Sequence, residues 1–339
     1  MKYFQTLLIV CVFAVVLTNN TTAINQPTAA EFTIHQTEPE KTFEAAMLFA
    51  HGIAATKNQV LHHYARHTNR NIDGSYTSNK HWLFDQPICS FNFPDSLPKS
   101  QFNKTFVNLG QKLDMERLDE AFHATLEQVP GCKKIIGSGI SRGAVTWLNY
   151  AAEKRPEELG ALILESPFET IKSIIHNLLR RFHLSWVPFS TSLIFWAAKK
   201  KFTSLNMNGP FPIDLVDQID KNLPILMVHS RSDQVIPTNS SRKLYVKLLQ
   251  SGHNNIYLLE LARGDHGKLM QGMEAEIYQN CVHAFLQKYN LPHCDEFAQR
   301  GRSLLATCQP SIQEVQKWIK QKRSIAIDDE PEDVTPLAA

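Results

Sequence analysis

The chain has 339 residues, with 35 Lys and Arg against 33 Asp and Glu and a net charge of +2. Hydrophobic residues make up 43% and charged residues 20%, an ordinary globular profile that gives no support to a nucleic-acid surface or a highly charged partner. The length suits one large α/β domain or two small ones, and no internal repeat is visible.

Residues 1–23 have the anatomy of a secretory signal peptide. Lys2 supplies the positive end, residues 6–17 are apolar, and Thr21-Thr22-Ala23 is a small-residue cleavage site. The apolar part is short for a bilayer span, so the alternative to cleavage is an N-terminal membrane anchor. Either way the body of the protein is expected outside the cytosol, secreted or periplasmic. Residues 24–322 then read as the folded domain.

Met47-Leu48-Phe49-Ala50 is an apolar strand ending in His51-Gly52-Ile53, and residues 58–68 follow as a helix. Pro87 to Phe91 is a strand that runs into Phe93-Pro94-Asp95. Residues 114–128 are a helix with Leu118, Ala121, Phe122 and Leu126 on one face. Residues 133–137 form a buried strand and residues 144–152 a helix. Strands follow at 159–164, 223–229 and 255–261. Strands alternating with helices predict a mostly parallel sheet covered on both faces. An insertion at about 168–215 is longer than a crossover needs and carries Phe182, Trp186, Phe189, Phe195 and Trp196. Beyond Tyr289 one more amphipathic helix is expected at 311–320, and residues 323–339 form an acidic tail expected to be disordered.

Gly139-Ile140-Ser141-Arg142-Gly143 lies between a strand and a helix, the setting in which G-x-S-x-G has mechanical meaning. The flanking glycines remove Cβ atoms from a tight turn, and the next helix presents its N-terminus to any oxyanion formed at the serine. Downstream, Asp233 follows one strand and Asp265-His266-Gly267 follow another, so each candidate lies beyond the carboxyl end of a strand, where open α/β sheets place their sites. Ser138 has Ile136 and Ile140 where the motif requires glycines and is no rival to Ser141. Asp265 is the sequence neighbour of His266, a poor position from which to orient it. Glu165, at the end of the 159–164 strand, is the rival acid to Asp233. The side chain of Arg142 reads as a surface or sheet-edge charge.

Five cysteines follow residue 23. Cys281, Cys294 and Cys308 lie close enough in sequence for a bridge among them, while Cys89 and Cys132 read as apolar core fillers. His62, His63 and His67 have no Cys or carboxylate cluster beside them, so they read as a solvated helix face and no metal site is expected.

The strand ending in His51-Gly52, the serine turn, Ser230-Arg231-Ser232-Asp233 with Pro237, and Gly264-Asp265-His266-Gly267 together resemble an α/β-hydrolase. The resemblance is to the serine-aminopeptidase and monoacylglycerol-lipase-like branch and runs from about residue 45 to 289. Ala144 departs from the second glycine that many relatives carry there. The resemblance implies a helical lid at 168–215 and a Ser141, Asp233, His266 triad acting through an acyl-enzyme. It also implies an oxyanion hole from the backbone N–H groups of Ile53 and Arg142, with no cofactor and no metal. The implied function is a serine hydrolase of carboxylic esters or thioesters, acting on a small-molecule or lipid-like acyl substrate, with peripheral membrane contact through the lid. A serine aminopeptidase-like peptidase and a hydrolase-fold binding protein with an idle triad are the alternatives. Oligomeric state is left open.

Overall fold

The computed structural model describes residues 32–35, 41–67, 80–82, 86–96, 107–181, 196 and 205–321. The signal-peptide reading (1–23) and the acidic tail (323–339) lie outside these, as does the middle of the expected lid. The apolar runs become seven strands of one sheet: β1 Thr33–His35, β2 Ala45–Ala50, β5 Ile88–Ser90, β6 Lys134–Ile140, β7 Leu159–Glu165, β8 Ile225–Ser230 and β9 Ile256–Leu261. Their order is β1-β5-β2-β6-β7-β8-β9, with β1 antiparallel to β5 and every other pair parallel. A separate antiparallel pair joins β3 Ala65–His67 to β4 Lys80–Trp82.

Alternate residues of each central strand enter different cores, as a period of two requires. Ala46, Leu48, Leu162 and Leu164 face one core, with Leu118, Trp147, Leu244 and Val315 from the helices that cover it. Those helices are α2 Lys112–Gln128, α3 Arg142–Glu153, α6 Asn239–Gln250 and α9 Ile312–Lys320. Met47, Phe49, Ala161 and Ile163 face the other, with Val60, Tyr64, Phe285 and Leu305 from α1 Gln59–Tyr64, α7 Ala275–Lys288 and α8 Asp295–Thr307. Both faces of a mostly parallel sheet are thus buried, as predicted.

Four expectations need correction. The first helix stops at Tyr64, because Ala65–His67 is taken up in pairing with Lys80–Trp82. Residues beyond Tyr289 make two helices, α8 and α9, not one. His63 is buried against Phe49, Tyr64 and Tyr278 rather than on a solvated face, because it shares the inner side of α1 with Val60 and Tyr64. No bridge joins Cys281, Cys294 or Cys308: all are thiols, with Cys281 Sγ and Cys308 Sγ 3.9 Å apart. Cys89 is buried as expected, and Cys132 is half-buried.

The C-terminal helices are tied to the sheet through backbone as well as side chains. Leu258 N–H donates to Cys308 O at 2.7 Å, and Gln309 Nε2 donates to Asn254 O and Ile256 O. Arg242 of α6 lies 5.6 Å over the Trp318 ring of α9. Of the 168–215 insertion, residues 182–195 and 197–204 lie outside the described residues. Its described parts include α4 Ile171–Arg181 and the short α5 Pro212–Leu215. Phe168, Ile171, Ile175, Leu205 and Met207 pack there around Val145 and Ile236, beside the start of α3. Among the described residues, no helix is long and apolar enough to cross a membrane.

Candidate active site

Ser141 sits between β6 and α3 at φ 53 and ψ −109, a conformation that costs a non-glycine residue free energy and recurs at functional turns. Its backbone is held on both sides: Ser141 N–H donates to Glu165 O at 2.8 Å, and Ser141 O accepts from Val145 N–H at 3.1 Å. The flanking glycines are needed for space rather than for unusual dihedrals. A Cβ on Gly139 would lie 2.5 Å from the carbonyl carbon of Gly143, and a Cβ on Gly143 would lie 2.5 Å from that of Ala50. The turn therefore brings α3 against the end of β2. Ser141 is itself 5% exposed, at a helix start where the first N–H groups have no partner within the helix.

Asp233 and His266 follow β8 and β9, two and three places along the sheet from β6. His266 Nδ1 lies 2.7 Å from Asp233 Oδ2. Asp233 Oδ1 accepts the N–H groups of Val235 and Ile236, and Oδ2 also accepts Ser166 Oγ–H at 2.9 Å. A second histidine faces the same oxygen, with His229 Nε2 3.4 Å away. Because His229 Nε2 also meets Ile236 O at 3.1 Å, it carries the proton, and Nδ1 accepts from Ser241 Oγ–H. Burial alone would raise the Asp233 pKa. Hydrogen bonds and charge from His229 and His266 outweigh burial and hold the carboxyl well below its usual range, so it is a carboxylate.

Among the described residues Ser141 Oγ makes no hydrogen bond, and His266 is held through its Nδ1 by Asp233. Two loops meet at the residue before it. A Cβ on Gly52 would contact Ile140 O at 3.7 Å, and one on Gly267 would contact Ile140 Cγ2 at 3.5 Å. The Gly52-Ile53 loop and the His266-Gly267 loop thus converge beside Ser141. Ile53 is 47% exposed.

Glu165 is fully buried and does not face His266. Its Oε2 lies 3.7 Å from His63 Nε2, and Leu269 N–H approaches Oε1 at 3.5 Å. Burial, joined by the nearby Asp233 charge, pushes Glu165 up to about 8, while burial pushes His63 down to about 3. Both are neutral at pH 7, so their proximity is not a salt bridge. The carboxylate that meets His266 is Asp233.

Arg142 contradicts its reading as a surface or sheet-edge charge. Its side chain is 1% exposed. It turns inward because two distant carboxylates wait for it: Nε and Nη2 bond both oxygens of Asp114 at 2.7 and 2.6 Å, and Asp95 Oδ1 lies 2.5 Å from Nη2. The Asp95 contact is close but poorly aligned for a hydrogen bond. Burial raises Asp95 against the pull of Arg142. The Phe93 ring lies 4.3 Å from the guanidinium.

His51 was legible only as the end of a strand, yet it links two loops. Nε2 accepts Phe93 N–H at 3.2 Å and meets Ser96 Oγ at 3.0 Å. Nδ1 therefore carries the proton and donates to Gly52 O at 2.7 Å. Burial and the Arg142 charge lower its pKa to about 3, which keeps the imidazole neutral. Gly52 N–H in turn donates to Gln59 Oε1 at 2.8 Å. Ser166, His229 and Ser241 were likewise missed; the local signal for the first two was their place at the ends of β7 and β8. Among the described residues no cluster of His, Cys, Asp or Glu is arranged to hold a metal. A cavity of about 430 Å³ near Lys134, Leu159 and Pro224 lies at the amino ends of β6, β7 and β8, away from Ser141.

The sheet order, with candidates after β6, β8 and β9, is that of the α/β-hydrolase fold. No family model matches the chain. The chain is similar to the uncharacterised protein YqkD of Bacillus subtilis, 27% identical over 154 residues, which is 45% of this chain and 47% of that protein; it thus spans about half the length of that relative. Among solved structures, an esterase of Pyrococcus furiosus superposes with a TM-score of 0.51 at 15% identity, over 80% of this chain and 97% of that one. An acylaminoacyl peptidase of Pyrococcus horikoshii superposes with a TM-score of 0.53 at 15% identity, over 85% of this chain and 42% of the peptidase. At this identity the likeness is one of fold.

Proposed function

We propose that the protein is a serine hydrolase cleaving carboxylic esters or thioesters through Ser141, His266 and Asp233. The observation that carries this reading is the 2.7 Å contact of His266 Nδ1 with a buried, ionised Asp233, on the same sheet edge as the strained Ser141 turn. Asp233 fixes the tautomer in which Nδ1 bears the proton and Nε2 is free to accept one. Ser141 Oγ attacks the acyl carbon as Nε2 takes its proton. The tetrahedral oxyanion is received by the N–H groups of Arg142 and Ile53, each such donor being worth about a hundredfold or more. Collapse expels the alcohol or thiol with the proton from His266, leaving an acyl-enzyme. Water then repeats the sequence and releases the acid.

The residues at 168–215 serve in this reading as a lid whose aromatic side chains line an acyl pocket and touch lipid surfaces peripherally. Nitrophenyl decanoate is then cleaved faster than nitrophenyl acetate, and the reverse preference would remove the lid's apolar role. Residues 1–23 act as an export signal. The test of the function is labelling by a fluorescent fluorophosphonate, run on the protein from Ile24 onward and on Ser141→Ala. Labelling of the wild type that is lost in the variant supports the reading. A folded wild type that does not label sinks it.

A further inference from the structure

We propose that Arg142 is a positioning residue whose side chain, clamped by Asp114 and set against Asp95, holds both backbone donors of the oxyanion hole in one rigid frame. The inference rests on the function just proposed. One arm is direct. The guanidinium is clamped by both oxygens of Asp114, whose Oδ2 also takes Gly110 N–H at 2.6 Å, so the first residue of α3 has its side chain anchored at the start of α2. The direction of the Arg142 N–H is thereby tied to a fixed point outside its own helix.

The other arm runs through Asp95. That residue stands between Phe93 and Ser96, the two residues that hold His51 Nε2, and the Phe93 ring lies under the guanidinium and against His51, with ring centroids 4.8 Å apart. With Nε2 occupied, His51 offers Nδ1–H to Gly52 O. The Gly52–Ile53 peptide is planar and trans, so fixing the direction of Gly52 C=O fixes the opposite direction of Ile53 N–H. Gln59 secures the other side of Gly52. Arg142 is thus the point at which the two donors are referred to one another.

A buried ion cluster of this kind is a poor way to gain stability, since apolar residues of similar volume often do as well or better. What it supplies is direction, because a bidentate guanidinium–carboxylate pair has fixed geometry. Arg142→Lys separates the two roles: it keeps the charge that the carboxylates need but cannot form the fork.

The experiment measures ester turnover and the inhibition constant of an alkyl trifluoromethyl ketone, which adds Ser141 Oγ to its carbonyl and leaves an oxyanion in the hole. In Arg142→Lys, kcat is expected to fall about tenfold or more with KM within about twofold, and the inhibitor to weaken by a similar factor. Ser96→Ala, on the far arm and leaving the Arg142–Asp114 fork in place, is expected to show the same split with a smaller fall in kcat, about threefold to tenfold. Thermal unfolding of both variants establishes folding, and if Arg142→Lys does not fold, Ser96→Ala decides. Unchanged kcat in the folded variants, or a loss confined to KM, overturns the proposal. A wild type inert to the fluorophosphonate overturns the function beneath it instead, so the two failures are distinct.

Discussion

Replacing Gly143 by Ala tests the close approach of α3 to β2 on which the whole site is built. The added Cβ would stand 2.5 Å from the carbonyl carbon of Ala50 and nearer still to its oxygen, where ordinary contact begins at 3.4 Å. Helix and strand must then part by roughly 1 Å, and both partners are backbone, so no side chain can rotate away. Overpacking of this kind costs about 1–3 kcal/mol, and the upper end applies where backbone must move. For a domain of this size that is a fall in unfolding temperature of about 2–5 °C. Function should suffer more, because Ala50 directly precedes His51, Gly52 and Ile53. A shift of about 1 Å at a catalytic group costs about a hundredfold in turnover. The assay pairs thermal unfolding with ester turnover, and Gly272→Ala is the control, since its nearest neighbour would be 3.6 Å away and its φ is ordinary. A Gly143→Ala protein with the wild-type unfolding temperature and turnover would refute the packing argument.

Asp233→Asn should lower kcat by about three to four orders of magnitude with little change in KM, because the amide no longer selects the productive His266 tautomer; steady-state kinetics of the folded variant check this. Glu165→Gln should change stability with pH. The folded Glu165 titrates at about 8 and an unfolded Glu near 4.3, so the neutral carboxyl favours folding at low pH, and that contribution is lost as pH rises from about 4 to about 8. The variant should therefore match wild type in urea unfolding at pH 4 and exceed it by about 2–4 kcal/mol at pH 8; a difference independent of pH would contradict the assignment. The two carboxylates on Arg142 should part company. Asp114→Asn breaks the fork and is expected to cost about 3 kcal/mol, whereas Asp95, whose pKa is raised by burial, disfavours folding once ionised. Asp95→Asn should then be no less stable than wild type in urea at pH 7, and a loss equal to that of Asp114→Asn would count against this division.

The sheet and the Ser141 turn were legible because they are written locally: apolar runs of strand length, two glycines around a serine, and a helix directly after. The strand-end rule placed Asp233 and His266 at the site but left Glu165, which also ends a strand, as a rival acid; Asp233 as the partner of His266 came from the resemblance to α/β-hydrolases. Arg142 was misread for the opposite reason. A single charge beside a serine looks solvated, and nothing local reports Asp114, 28 residues earlier, or Asp95. His63 was misread because the three histidines were judged together, by the lack of a ligand cluster beside them, where the helical period, shared with Val60 and Tyr64, decided. Helix α8 was missed because its buried face is thin, only Ala298, Gly301 and Leu305, with a glycine at the centre. That glycine is there because a Cβ would run into the backbone of Asn280 on α7.

The hydrogen bond from Leu258 to Cys308 bears on how far this fold can be trimmed. β9 is an outermost strand, and an outermost strand offers its open N–H and C=O groups to any extended chain that drifts past. Here Cys308 O and the Gln309 amide occupy that flank. A protein cut back after Tyr289 would keep Ser141, Asp233 and His266, yet lose this cover along with Leu305 and Val315 from the two cores. It would carry an intact set of candidate catalytic residues on a sheet primed for strand addition between molecules. The two C-terminal helices thus guard the protein against its own copies, a service to solubility that no inspection of the site would suggest.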